Sequence, residues 1–265
     1  MCKRSKAVLV LVTWLAVAQA HAQWDSYERM TGEALRAAIA HSPSGTRPDL
    51  TGKNLSGLDL AEVDFHGANL SASVLNGAKL TRARLDRTNL TVSFLEGADL
   101  TGASLRNAMM FSVQLAGGTL RDADLSGARL VGDLRKADLT HATLTHMNAA
   151  ADMKNQSMGL MHTSMVNAKA PRADFSNSDF SRADFSFTDL SGAKLVATKL
   201  VRSDFSGANL SDADLTGADL RDSQLIDTDF SHANLTNADF TGATFRGVRG
   251  LDTATTAGAR GLPQN

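Results

Sequence analysis

The sequence predicts an all-β fold: a quadrilateral parallel β-helix, a coil with four sides and a corner every five residues. Three observations lead there. From Leu50 to Phe245, every fifth residue gives 40 positions, and Leu or Phe occupies 32 of them. Two residues before each, the side chain is usually Ala, Ser or Thr, as at Ala68, Ala98 and Ala123. Large rings are scarce, with one Tyr and 5 % aromatics, so the core must be built from many small regular contacts. A period of five suits neither a lone amphipathic helix, near 3.6, nor a flat strand, at 2. A chain that turns a corner every five residues satisfies it. Each side then points one large and one small residue inward and leaves three positions outside. Four sides close a coil of about 20 residues, and coils stack at about 4.8 Å with their backbone groups paired between them.

The run Ala208-Asn209-Leu210-Ser211-Asp212-Ala213-Asp214-Leu215-Thr216-Gly217-Ala218-Asp219-Leu220 resembles the A(D/N)LXX pattern of the pentapeptide-repeat family, as does Gly97-Ala98-Asp99-Leu100-Thr101-Gly102-Ala103. The resemblance covers roughly residues 49–247, with one interruption. It implies the square cross-section and a right-handed winding; periodicity alone does not fix the hand.

The ends differ from the repeat. Lys3, Arg4 and Lys6, an apolar run at 7–18 and the small-residue sites Ala18-Gln19-Ala20 and Ala20-His21-Ala22 read as a secretory signal peptide cleaved near Ala22. The mature chain would then be periplasmic or secreted, with no membrane span. Its formal charge would move from −1 to −4, and with Cys2 gone it would hold no disulfide. Residues 23–48 supply a capping helix and linker, with Trp24, Tyr27, Ala34, Leu35, Ala38 and Ile39 at roughly helical spacing. The β-helix is expected over 49–250, followed by a polar, mobile tail at 251–265.

The register breaks after Leu130, where the core-like residues become Leu134, Leu139 and Leu144, and it returns by Leu160 and Met165. Residues 131–165 are therefore expected to be irregular. Methionine concentrates there, as a flexible filler of an irregular core. A sharper alternative is a soft-metal site from His141, His146, Met158, Met161 and His162, since thioethers with imidazoles suit copper and His141 and His162 lie about one coil apart in sequence.

Nothing in the pattern points to catalysis or a cofactor. Ser, Thr and Asp recur because the repeat spells them, and there is no phosphate loop, dinucleotide fingerprint or zinc spacing. Charge is more informative. Residues 174–240 carry twelve Asp against five Lys or Arg. At 20-residue stacking, Lys194 falls between Asp174 and Asp214 and Lys199 between Asp179 and Asp219, leaving Asp189, Asn209 and Asp229 as an unrelieved stripe. The candidate interaction surface is Asp189, Asp204, Asp214, Asp219 and Asp229, with a small basic cluster of Arg82, Arg84 and Arg87 in the other half. The reading is a non-enzymatic protein-binding or scaffolding module of the bacterial cell envelope, monomeric, with an unknown protein partner. The alternatives are the periplasmic soft-metal binder and a DNA mimic that binds topoisomerases, a role some relatives resemble. The export signal and weak overall acidity oppose the DNA mimic, and no nucleic-acid ligand is expected.

Overall fold

A computed structural model describes residues 26–42, 47–151 and 162–263. The proposed signal peptide lies outside these residues. Within them, parallel bridges join residues 20 apart, as Asn69 to Asn89 and Asp184 to Asp204, and they recur every five residues along the chain. That is a four-sided coil. The bridging residue precedes each core Leu or Phe, so four ladders run down the rod. The first side begins at Asp49, the second at Asn54, the third at Asp59 and the fourth at Asp64.

Corner chemistry explains the repeat. Lys53 N–H donates to Leu50 O, and Gly52 between them has φ 64°, a turn that needs a left-handed residue at its third position. The Asp or Asn before the core residue clamps the same corner. At Asp99, Oδ1 accepts from the Thr101 N–H and hydroxyl at 3.0 and 2.6 Å. Asp/Asn-Leu-Ser/Thr-Gly is thus a turn signal and a core signal in one. Inside, the large residues are fully buried from Leu55 to Phe240. Where the small inward residue is Ser or Thr, its hydroxyl often donates to a carbonyl of the coil above, as Thr198 to Phe175 O at 2.9 Å, or within its own corner, as Thr88 to Leu85 O at 2.7 Å. In the C-terminal half the column widens to rings, with Phe185 and Phe205 stacked at 4.9 Å.

The N-terminal stretch is shorter in helix than its spacing predicts. Glu28–Arg29 (β1) pairs in parallel with Lys53–Asn54 (β2), and the helix (α1) runs only Gly32–Ala40. Thr31 caps it, its hydroxyl accepting from Ala34 N–H at 3.1 Å. Leu35 is buried in the same cluster as Leu50, Leu55 and Leu60, and Arg36 donates to the Asp59 carbonyl, so α1 lies over the first coil.

The fault is narrower than residues 131–165. Met109–Gln114 (β3) pairs with Arg129–Asp133 (β4), and the register slips at Ser112, between Phe111 and Val113. Below the slip, partners are 19 apart, as Thr119 to Asp138, and residues 133–148 form ordinary ladder positions. The shortened corner tucks in at Gly132, where any Cβ would collide with the Val113 carbonyl. The next coil then pairs Asp133 with Ser164, a separation of 31, eleven residues more than a regular coil. Ala149 and Ala151 still bond to the coil below, and Thr163 rejoins the rod, its hydroxyl reaching Ala149 O at 2.9 Å and Leu130 O at 3.2 Å.

The expected polar tail is instead built into the rod. Thr255 bridges Asn234 and Arg260 bridges Asp239, each 21 residues on, with the additional residue taken up in a turn at Gly250. Gln224–Ile226 (β5) and Thr244–Arg246 (β6) are the last named strands. The pattern missed this coil because Leu and Phe give way to smaller residues, yet Leu251, Ala254 and Leu262 still pack on the core. Among the described residues no helix is long and apolar enough to cross a membrane.

Candidate interaction surface

The predicted acids do not make one surface. Asp219 lies on the first side, Asp204 on the second, Asp189 and Asp229 on the third and Asp214 on the fourth. Each is first a corner clamp, accepting from the residue two ahead: Ser191, Ser206, Thr216, Arg221 and Ser231. Lys194 and Lys199 sit in the ladders between acids, as expected. The stripe Asp189–Asn209–Asp229 is relieved after all. It runs between Lys169 and Arg249, and Arg249 lies 3.6 Å from Asp229. Its cations fall outside the segment of highest Asp density, where composition does not reveal them. The Asp229 carboxyl is held below its usual range by the Ser231 hydroxyl and N–H, with Arg249 adding to the effect.

The basic cluster is mostly paired. Arg82 bonds Glu62 and Arg84 bonds Asp64 at 2.9 Å, each one coil above, while Arg87 stands at a corner with φ 58°. The proposed metal ligands are spread out. His141 and His146 occupy successive corners, and His141 Nδ1 lies 3.4 Å from Asp122 of the coil above. Its N–H pairs with Pro171 O, not with His162, because the eleven-residue insertion lengthens that coil. His162 borders the second side, and Met158 lies outside the described residues, as does Met161. Met110, Met147 and Met165 are buried core filling. Among the described residues no three His, Cys, Asp or Glu side chains are placed to hold a metal ion.

The second side is different from the other three. Its ladder from Asn54 to Thr244 has no Lys or Arg. Each other side has at least two: Arg129 and Lys199, Lys79 and Lys169, Arg84 and Lys194. In the N-terminal half, the second side and its leading edge carry Val92, Phe94 and Phe111 at their surface, with Val74 buried above them. Val92 is 46 % exposed, and Met109 beside it on the first side is 54 % exposed. Val92 also has φ 60°, a region that β-branched residues avoid. At the fault, Ser112, Gln114, Gly132, Asp133, Arg135, His162 and Ser164 line an open depression of about 340 Å³. Arg135 grips Asp133 with two nitrogens, Nε at 2.9 Å and a terminal nitrogen at 2.6 Å. Burial would raise the Asp133 carboxyl, but these bonds hold it below its usual range. Below the depression, Asp184 and Asp204 stack directly, and among the described residues no cation lies within ion-pair distance of either. Phe187 flanks them at the trailing edge, 64 % exposed with φ 58°, its ring lying over Gly207.

Sequence reasoning passed over this side because it ranked charge above apolar residues. The usable signal was a large apolar residue at an outward position, as at Val92, Phe94, Phe111 and Phe187.

Comparison with known proteins places these features in context. The family model for pentapeptide repeats matches in eight copies, over stretches running from 46 to 149 and from 160 to 249. No curated protein sequence matches. Among solved structures, HetL, a pentapeptide repeat protein involved in heterocyst differentiation regulation in the cyanobacterium Nostoc sp., is 28 % identical, with 87 % of this chain and 96 % of that one covered and a TM-score of 0.47. A pentapeptide repeat protein of the Arabidopsis thaliana thylakoid lumen is 27 % identical, covering 42 % of this chain and 70 % of its own, with a TM-score of 0.37. QnrB1, a plasmid-mediated fluoroquinolone resistance protein, is 19 % identical, over 78 % of this chain and 90 % of its own, with a TM-score of 0.42.

Proposed function

Because this chain belongs to the pentapeptide-repeat family, we propose that it is a non-enzymatic, exported scaffold that binds a protein partner in the bacterial cell envelope through the second side of its rod. The observation that carries this reading is the concentration of unusual features on one side. The cation-free ladder, the strained exposed Val92, the depression at the fault and the exposed Phe187 all lie there. An exposed apolar residue held in an unfavourable backbone region does nothing for the fold, so a contact role accounts for it better. The envelope location rests on the basic start, apolar run and small-residue sites of residues 1–22. The winding is right-handed on the family resemblance.

The DNA-mimic alternative needs long uninterrupted acidic stripes. Alternation of Asp with Lys194, Lys199 and Arg249 supplies few. The test is fractionation of cells expressing the full chain, followed by cross-linking from a photoreactive residue placed at position 92 or, as control, at position 82. The expected result is envelope recovery with a protein adduct from 92 alone. Cytoplasmic recovery, or equal adducts from both positions, overturns the reading.

A further inference from the structure

The second side carries two chemically distinct patches at a fixed separation, and together they describe a ligand. The upper patch spans the coils of Phe94 and Gln114, below the buried Val74. From Asn89 to Phe94 and from Met109 to Gln114 its residues carry no ionisable group, Glu96 stands exposed at the trailing corner, and Val92 and Met109 are its exposed crests. The lower patch is the pair Asp184 and Asp204 with the Phe187 ring at its edge. Five coils separate Phe94 from Asp204, so the outer ends of the patches are about 24 Å apart. The depression at the fault lies between them.

We propose that the second side binds one extended segment of a partner protein, apolar at one end and carrying Lys or Arg at the other, laid along the rod axis. This rests on the reading of that side as the contact face and names the chemistry it selects. An extended chain covers about 24 Å in about seven residues, so apolar and basic groups six to eight residues apart match both patches. Among the described residues no cation lies within ion-pair distance of the Asp184 and Asp204 carboxylates, with Arg182 and Arg202 at the corners before them and Arg202 turned to Asp222, and a partner cation between the two acids also meets the Phe187 ring, an arrangement that favours Lys or Arg. A second copy of this chain is a poorer occupant. The apolar window is about two coils tall, roughly 10 Å, and about one side wide, far short of the roughly 800 Å² per partner of a stable interface.

The experiment is selection of a random peptide display library, with peptides about ten residues long, on the mature chain. Two variants serve as controls, Val92→Asn and the double change Asp184→Asn with Asp204→Asn. Both keep the fold. Asn tolerates left-handed φ, and Asn209 and Asn234 already make the same corner clamp as the ladder acids. The expected winners carry an apolar cluster six to eight residues from a Lys or Arg pair. As synthetic peptides they lose about tenfold or more in affinity for each variant, and the salt dependence of binding disappears only in the double variant. Winners without that spacing, or winners that bind both variants like the parent, overturn the proposal. So does light scattering that shows a dimer broken by Val92→Asn. Cytoplasmic recovery of the chain would sink the envelope reading and leave this result standing. Failure of the selection beside a position-92 adduct in the envelope would sink only the ligand chemistry.

Discussion

Single residues in this chain are either bound into the repeat or placed against its interest, and the two kinds respond oppositely to mutation. Asp86 is of the first kind. It is 7 % exposed, and burial would raise its carboxyl, but bonds from Arg106, Ser104 and the Arg106 N–H bring it from 3.8 down to about 2. A carboxyl lowered on folding adds stability that is complete above pH 3.8 and is lost as pH falls through about 2. The amount is about 2 kcal/mol. Asp86→Asn should therefore lower the melting temperature at pH 7 and flatten its decline between pH 4 and 2; an unchanged acid limb in a thermal scan would contradict this. Val92 is of the second kind. With φ 60° and 46 % exposure it strains the corner and packs little. Val92→Asn should stabilise the chain by about 1 kcal/mol, visible in urea melts, even as it weakens peptide binding. The period of five made the corners legible in sequence, but not the clamps, because the Asp of each repeat read as a solvated acid. The strain at Val92 was not legible either, since it depends on which of three outward positions takes the left-handed turn.

Among the elements, the fault shows where a repeat rule stops reading structure. The loss of one residue after Leu130 was visible as a shift of the Leu frame. Its mechanism was not, because a shortened corner requires a backbone approach that only geometry reveals, with Gly132 against the Val113 carbonyl. Gly132→Ala should cost about 1–3 kcal/mol, whereas Gly77→Ala, at an open corner with nothing near the added Cβ, should cost about 1 kcal/mol from its left-handed φ of 62° alone. Equal effects in chemical denaturation would show that close approach is unimportant. The expected juxtaposition of His141 with His162 fails for a related reason. It assumed 20 residues per coil across a coil of 31, so His141 and His162 sit on different corners. The last coil was hidden because its core residues shrink and one residue is added at Gly250.

Over the whole molecule, each coil touches only its neighbours, so stability is a sum of local terms and damage stays local. The ring column of the C-terminal half tests this. Phe205 is fully buried and stacked on Phe185, and Phe205→Ala should cost about 3–5 kcal/mol. Hydrogen exchange should then report lost protection in residues 164–262 while 50–148 stay protected; uniform loss would make the rod one cooperative unit. The coil was legible at this scale from the period of five, and its hand only through the family resemblance. The contact side was not, because its identity depends on which residues share a column, and the 19- and 31-residue coils scramble that assignment for anyone counting by twenty. Stacking also makes the second side a ruler with coarse graduations. The gap between its two patches is a number of coils, not a matter of side-chain reach. It can change only in steps of about 4.8 Å, by gain or loss of a full turn of sequence. Relatives that add or drop one coil between Phe94 and Asp184 would read partners one or two residues longer or shorter, without altering a single contact residue.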